Sequence, residues 1–111
     1  CVLFVDIEGA EFELLSRPVL QTFRRSIIYV ELHEGFVQDG LQRLEQLKQT
    51  CAVTHAWHEF WTGPRDLSVF AELRELSDSD RWLLCSEGRQ RAMRWARLEP
   101  LDWTPDSAAE V

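Results

Sequence analysis

The sequence has no long apolar run and no excess of basic residues. Its longest uninterrupted apolar run spans residues 1–5, far short of the roughly 20 residues that cross a bilayer, and no basic and apolar leader opens the chain. Twelve basic against nineteen acidic side chains give a formal net charge of −7, which repels nucleic-acid backbones and anionic membranes. We therefore expect no nucleic-acid partner, no membrane partner and no export.

Paired cysteines are also missing. Cys1, Cys51 and Cys85 stand far apart without a C-x-x-C pair, and an odd number of cysteines cannot close into a disulfide framework. Each lies in or beside an apolar run, where a buried thiol behaves as a small hydrophobe. We expect reduced thiols in a cytoplasmic protein.

The composition suits one packed domain. The 111 residues are 45% hydrophobic and include five Trp and six Phe, an aromatic content that disordered chains lack. The first residue, Cys1, stands inside a strand-like run without a cap or turn before it, which predicts that the chain is a piece of a larger domain. We expect residues 1–100 to fold and the acidic residues 101–111 to form a frayed tail.

Strand and helix patterns alternate in the first part of the chain. Residues 1–7 are almost continuously apolar, as in a strand buried on both faces of a parallel sheet. One helical face follows, with a break expected at Pro18 after Ser16. That face consists of Phe12, Leu15, Val19 and Phe23. A second strand over residues 26–32 would complete a βαβ unit.

The pattern continues in the second part. Asp39 is a possible cap for a helix that ends near Thr50. Its apolar face would consist of Val37, Leu41, Leu44 and Leu47. We expect a strand over residues 52–60, a short helix over 66–73 and a fourth short strand over 81–86. The fold class predicted is α/β: a partial Rossmann-like open sheet, mostly parallel, with about four strands and helices packed on its faces.

Ionisable residues follow the first two predicted strands. Asp6 and Glu8 come at the end of the first, Glu31 and His33 at the end of the second, and ligands of such sheets bind outside the carboxyl ends of the strands. If the strands are parallel neighbours, three carboxylates and an imidazole meet in one cleft, a general-base or divalent-metal constellation. The alternative is that the acids cap loops and His33 is a hydrogen-bonded core residue. For Glu11 we prefer a helix N-terminus favoured by the dipole.

Other signals favour structural roles. His55 and His58 are three positions apart and would face opposite sides of a strand, so a metal site there is not expected. A cluster of Trp57, Phe60 and Trp61 more often seals a core than stacks a ligand. The arginines between residues 81 and 97 would pair with the chain's own carboxylates. A phosphoacceptor receiver domain needs a lysine at a strand end, but the only lysine, Lys48, lies inside a predicted helix.

Residues 5–15 (VDIEGAEFELL) and 27–33 (IIYVELH) resemble the carboxyl-terminal half of FkbM-type methyltransferases. That family has the class I fold that uses S-adenosylmethionine, with a D-x-E-G-x-E motif after the fourth strand and an E-x-H-like end to the fifth. Residues 81–88, where the similarity is looser, would supply the final strands. The resemblance implies O-methylation of a small-molecule or glycan hydroxyl.

By the same resemblance Asp6 and Glu8 would face the methyl group and the acceptor hydroxyl. Glu31 and His33 would orient the acceptor or share the role of base. These four are the catalytic candidates, and the resemblance does not decide which of them is the base. No metal ligand is assigned from the sequence.

The glycine-rich loop of that family is missing. The five glycines are isolated and no G-x-G-x-G follows a strand, so S-adenosylmethionine, the cofactor of the full-length protein, should bind this chain poorly and the chain alone should be inactive. The first strand would expose an edge and favour self-association. The competing hypothesis is a non-catalytic α/β interaction module with an acidic rim. Convergence of Asp6, Glu8, Glu31 and His33 in one cleft distinguishes the two.

Overall fold

A computed structural model describes residues 1–62, 67–85 and 93–103. The chain divides into two compact units, one holding Cys1–Trp61 with Met93–Val111 and the other Thr62–Ala92. In the described part of the chain, no helix is long and apolar enough to cross a membrane.

Within its described residues, the first unit is built on a four-stranded sheet in the order β1-β2-β4-β3. The strands are β1 Val2–Val5, β2 Ile27–Leu32, β3 His55–Trp61 and β4 Arg94–Pro100. β1 and β2 are parallel, whereas β4 runs antiparallel to both β2 and β3. The α/β class and the expected number of about four strands are confirmed, although the fourth strand is not the one predicted. The sheet is mixed, so the expectation of a mostly parallel sheet is wrong.

The mixed topology arises from β4, a strand that the sequence pattern did not reveal. Along it, Ala96, Leu98 and Pro100 are buried and alternate with partly covered Arg97 and Glu99. Such alternation is typical of an antiparallel strand with one covered face. The arginines made this segment resemble a basic surface, although it occupies the middle of the sheet between β2 and β3.

The helix between β1 and β2 is in two pieces, as predicted. α1 spans Glu11–Leu14 and α2 spans Arg17–Thr22. Pro18 stands in the first turn of α2, where its missing N–H costs nothing, but it could not continue α1. The two pieces return the chain to β2 alongside β1.

The third helix, α3, spans Gly40–Cys51. Leu44, Leu47 and Cys51 form its buried face, while Leu41 is 71% exposed; the expectation that Leu41 belongs to the buried face is wrong because it lies one residue outside the 44, 47, 51 stripe. Asp39 precedes the helix in a left-handed conformation, φ 54, and its side chain makes no capping hydrogen bond.

The core lies between this sheet and its helices. It comprises Val5, Leu15, Leu20, Ile28, Val30, Leu32, Leu44, Leu47, Cys51, Ala96 and Leu98. β1 contributes little to it, since Val2 is 51% and Phe4 74% exposed, and Phe4 stacks on Tyr29 with ring centroids 5.2 Å apart. The expectation that β1 is buried on both faces is therefore wrong: within the described ranges it is an edge strand that pairs only with β2.

The second unit contains two 3-10 turns, Leu67–Val69 and Ala71–Leu73, and the helix α4, Asp78–Cys85. A strand was expected over residues 81–86, and that expectation is wrong for 81–85. Ser77 Oγ accepts the Asp80 backbone N–H at 3.2 Å, a contact typical of the start of a helix. Asp66, Ser86 and the tail residues 104–111 lie outside the described residues.

Candidate functional site

The site lies at the shared carboxyl end of β1 and β2. These strands are parallel, with Val5 beside Val30, so the residues that follow Val5 and those around Glu31 reach the same edge. One donor atom from each of Asp6, Glu8, Glu31 and His33 lies within 4.8 Å of the others. The structure thus brings together all four residues that the sequence pattern singled out.

The four side chains differ in burial. Glu31 and His33 are each 2% exposed, whereas the side chains of Asp6 and Glu8 are 51% and 72% exposed. The cluster therefore has a buried half that is held by the sheet and an exposed half that a ligand can reach from solvent.

His33 lies at the centre of the cluster. Its Nε2 atom is 3.5 Å from Glu8 Oε2, 3.5 Å from Glu31 Oε2 and 3.9 Å from Asp6 Oδ1. That nitrogen is buried and has no hydrogen-bond partner. An unsatisfied buried polar atom is uncommon, so Nε2 is the atom of the cluster most suited to bind a ligand.

Glu11 orients the His33 ring from behind. Its side chain is fully buried, and Oε1 accepts the His33 backbone N–H at 2.6 Å and lies 3.1 Å from Nδ1. The other oxygen, Oε2, accepts the Gly9 N–H at 2.9 Å. Because a carboxylate only accepts, Nδ1 carries the hydrogen, and in the neutral ring the lone pair of Nε2 faces the acidic cluster.

Sequence reasoning missed this role of Glu11. The residue does begin α1, as expected of an acid at a helix N-terminus, but its carboxylate is turned inward onto the end of β2. No local signal in the sequence could have shown it, because the inward turn depends on contacts with the end of β2. The third acid of D-x-E-G-x-E therefore positions His33.

The turn that carries Glu8 is tightly held. Glu8 has φ 55 and Gly9 has φ 105, both in the left-handed region, which costs a residue other than glycine about 1–2 kcal/mol. A Cβ atom on Gly9 would stand 2.9 Å from Val37 Cγ1. The turn directs the Glu8 carboxylate back toward His33, and strained backbone of this kind is found at functional sites.

The histidines of β3 make separate structural contacts. The ring of His55, 1% exposed, lies 3.0 Å from the Ser26 carbonyl and 2.8 Å from Thr54 Oγ1. His58 is exposed and lies 3.8 Å from Glu99 Oε2. In the described part of the chain the two do not join a metal-binding group.

The arginines of β4 pair with carboxylates, as expected. Arg94 Nε is 3.3 Å from Glu34 Oε1, and Arg97 lies 3.0 Å from Glu99 Oε2. The Arg94 guanidinium also stands over the Trp61 ring at 4.8 Å. Of the aromatic residues expected to seal the core, Trp57 packs against it. Phe60 and Trp61 are 44% and 56% exposed, so that expectation is wrong for these two, and Phe60 stacks on Trp95 with centroids 6.4 Å apart. Arg89 and Arg91 lie outside the described residues.

Comparison with known proteins identifies the family. The sequence model of the methyltransferase FkbM domain family matches residues 2–78. This segment contains β1, β2 and all four clustered residues. Neither a curated protein nor a solved structure gives a significant match. The match confirms the resemblance drawn from the motifs around Asp6 and Glu31: the chain belongs to the FkbM methyltransferase domain family.

Proposed function

We propose that this chain forms the acceptor side of an S-adenosylmethionine-dependent O-methyltransferase, with Asp6, Glu8, Glu31 and His33 as its catalytic residues. Membership of the FkbM family supports methyl transfer as the reaction. The acceptor proposed is a small-molecule or glycan hydroxyl, because an acidic cluster suits a neutral group that must lose a proton.

Methyl transfer to a hydroxyl requires these residues to align the acceptor and to remove its proton. Methyl transfer to oxygen forms an O–C bond while the S–C bond of the donor breaks, and the hydroxyl proton must leave, so the acceptor needs both alignment and a base. Asp6 and Glu8 are exposed and can accept the proton directly. Glu31 and His33, buried behind them, hold the acceptor oxygen in place.

The convergence of the cluster is the observation that carries the proposal. Three carboxylates and one imidazole offer donor atoms within 4.8 Å of one another, although like charges at that distance repel. A helix or loop cap does not require acids to be gathered in this way. A hydroxyl that must lose its proton needs a base with orienting groups beside it. The cluster supplies both, and that favours a catalytic site over an interaction module.

The residues described here do not fit the donor's amino-acid carboxylate. In class I enzymes that group rests on free backbone N–H groups of a glycine-rich turn after a strand. In the turn between β1 and α1 the N–H of Gly9 is already bonded to Glu11, and a side chain, Val37, covers the glycine. We therefore propose that the donor binds a part of the domain other than these residues, and that the isolated chain is inactive.

Two measurements test the proposal. The natural gene product that contains residues 1–111 should transfer a labelled methyl group to hydroxyl acceptors, and NMR of the product should place it on oxygen. Methylation on nitrogen or carbon alone would contradict it. Calorimetric titration of the isolated 111-residue chain with S-adenosylhomocysteine should show no binding in the micromolar range. Micromolar binding would refute the proposal that the methyl donor binds elsewhere in the domain.

A further inference from the structure

We propose that Asp6, Glu8, Glu31 and His33 bind one divalent transition-metal ion through three carboxylate oxygens and the Nε2 atom of His33. The ion's binding follows from the geometry of these residues. Its part in methyl transfer rests on the proposed function.

The unpartnered nitrogen of His33 is the first argument. His33 is 2% exposed, and its Nε2 atom, without a hydrogen-bond partner, faces oxygens of three carboxylates. Its Nδ1 atom bonds the fully buried Glu11 carboxylate at 3.1 Å. Metal-ligating histidines have this arrangement, since a carboxylate on the far nitrogen sets the tautomer and orients the ring. The structure thus contains the outer support of a metal site as well as its inner donors.

The distances are slightly longer than those between donors around a common ion. Two donor atoms that each lie about 2.1 Å from one metal are about 3.0–3.4 Å apart at tetrahedral or octahedral angles. The separations between Nε2 and the three oxygens are 3.5, 3.5 and 3.9 Å. Small rotations of the exposed Asp6 and Glu8 side chains would close the difference, while Glu31 and His33 are held by the sheet.

Charge gives a separate argument. Three carboxylates surround a site in which Glu31 is only 2% exposed, and buried like charges require compensation. A divalent cation would reduce the charge of three carboxylates and a neutral imidazole from −3 to −1.

The donor set indicates the class of ion. Carboxylates suit Mg²⁺, Ca²⁺ and Mn²⁺, whereas imidazole suits transition metals. Three oxygens with one nitrogen therefore favour a divalent transition metal that accepts both, of which Mn²⁺ is the example. Such an ion would supply Lewis-acid assistance to loss of the acceptor's hydroxyl proton.

Mn²⁺ titration of the full 111-residue chain, followed by electron paramagnetic resonance, tests the inference. We expect one Mn²⁺ per chain and a nitrogen coupling from a histidine ligand. Asp6→Asn and Glu8→Gln should each weaken Mn²⁺ binding by roughly tenfold or more. Substituting a residue that only supports a metal ligand already costs about that much affinity. Both residues are exposed, so the variants should keep their fold, which circular dichroism checks.

Two variants serve as matched controls. Glu13→Gln removes an exposed acid two residues from Glu11 and should leave Mn²⁺ affinity unchanged. His58→Gln removes an exposed histidine and should leave the nitrogen coupling unchanged. Absence of stoichiometric binding, affinity unaffected by Asp6→Asn and Glu8→Gln, or bound Mn²⁺ without nitrogen coupling would each overturn the inference.

The outcomes separate this inference from the proposed function. Mn²⁺ binding is measured without a methyl donor or acceptor. Methyl transfer to oxygen by a chain that binds no metal would overturn the metal site alone. Stoichiometric Mn²⁺ binding in a protein that methylates only nitrogen or carbon would sustain the metal site and overturn the O-methyltransferase proposal.

Discussion

Glu11 holds both the backbone and the ring of His33, a residue 22 positions later in the chain. Its Oε1 atom lies 2.6 Å from the His33 backbone nitrogen and 3.1 Å from Nδ1. The contact joins the turn after β1 to the end of β2 and gives the imidazole one orientation. Glu11 is therefore a positioning residue that acts on the site through His33.

Removing the Glu11 carboxylate should destabilise the chain strongly. Glu11→Ala leaves the N–H groups of Gly9 and His33 and the His33 ring nitrogen without their acceptor, and we expect a loss of about 3 kcal/mol or more in unfolding free energy. Urea denaturation measures it. Glu13→Ala, at an 80% exposed side chain on the same helix, should change stability by less than about 0.5 kcal/mol. Equal effects of the two substitutions would contradict the burial of Glu11.

The central place of β4 predicts a second stability difference. Leu98 is fully buried, while Leu101, just past the strand, is 61% exposed. Leu98→Ala should cost about 2–5 kcal/mol in unfolding free energy, and Leu101→Ala less than about 0.5 kcal/mol. Thermal or urea unfolding of the two variants provides the comparison. A Leu98→Ala variant as stable as the parent would place β4 outside the core.

The elements that sequence reasoning predicted correctly carry local signals. The β-branched run of β2 and the proline that divides α1 from α2 act within a few residues, so they could be recognised without the fold. β4 and α4 could not be recognised from the sequence, because each segment also carries residues that are typical of a different structure. Arginines obscured the alternation in β4, and the apolar residues 82–84 resembled a strand although Ser77 begins a helix.

The candidate site could be predicted in part, because the strands that carry it have local signals in the sequence. Asp6, Glu8, Glu31 and His33 are placed by two parallel strand ends, and a βαβ unit is sufficient to bring them together. The inward turn of Glu11 and the left-handed backbone of Glu8 depend on packing against β2 and Val37. No local pattern encodes those contacts, so they required the structure.

Burial of Cys51 predicts selective thiol chemistry. Desolvation raises the pKa of the Cys51 thiol to about 12, whereas Cys1 is exposed. Iodoacetamide at pH 8 should label Cys1 readily and Cys51 only after unfolding, because the thiolate is the nucleophile. Peptide mass spectrometry measures both sites. Equal labelling of the two in the folded chain would contradict the core position of Cys51.

The same pKa shift predicts how stability depends on pH. The pKa of Cys51 is 9.0 in its ordinary state and about 12 in the folded chain. The buried, protonated Cys51 thiol therefore makes its full contribution to the free energy of unfolding below about pH 9. That contribution is lost as the pH rises toward 12, at up to about 1.4 kcal/mol per pH unit. Unfolding free energies at pH 8 and 10.5 should differ more for the parent than for Cys51→Ala, and parallel pH profiles would contradict this.

The edge of β1 predicts self-association. Val2 and Phe4 are exposed at the edge of the described sheet, and an unpaired apolar strand favours pairing with another copy. Light scattering coupled to size-exclusion chromatography should show mass rising with concentration. Phe4→Lys should suppress the rise, whereas Leu41→Lys on α3, where Leu41 is 71% exposed, should not. A monodisperse monomer at high concentration would contradict the prediction.

The central claim is that the side chains at the ends of β1 and β2 form the acceptor site of a methyltransferase. Its most direct test compares initial rates of methyl transfer to a hydroxyl acceptor by the gene product that contains this chain, in the parent and in the Asp6→Asn, Glu31→Gln and Glu13→Gln forms. We predict that Asp6→Asn and Glu31→Gln lose about a hundredfold or more in rate and that Glu13→Gln keeps the parent rate. Folded Asp6→Asn and Glu31→Gln proteins that transfer methyl groups at the parent rate would contradict the claim.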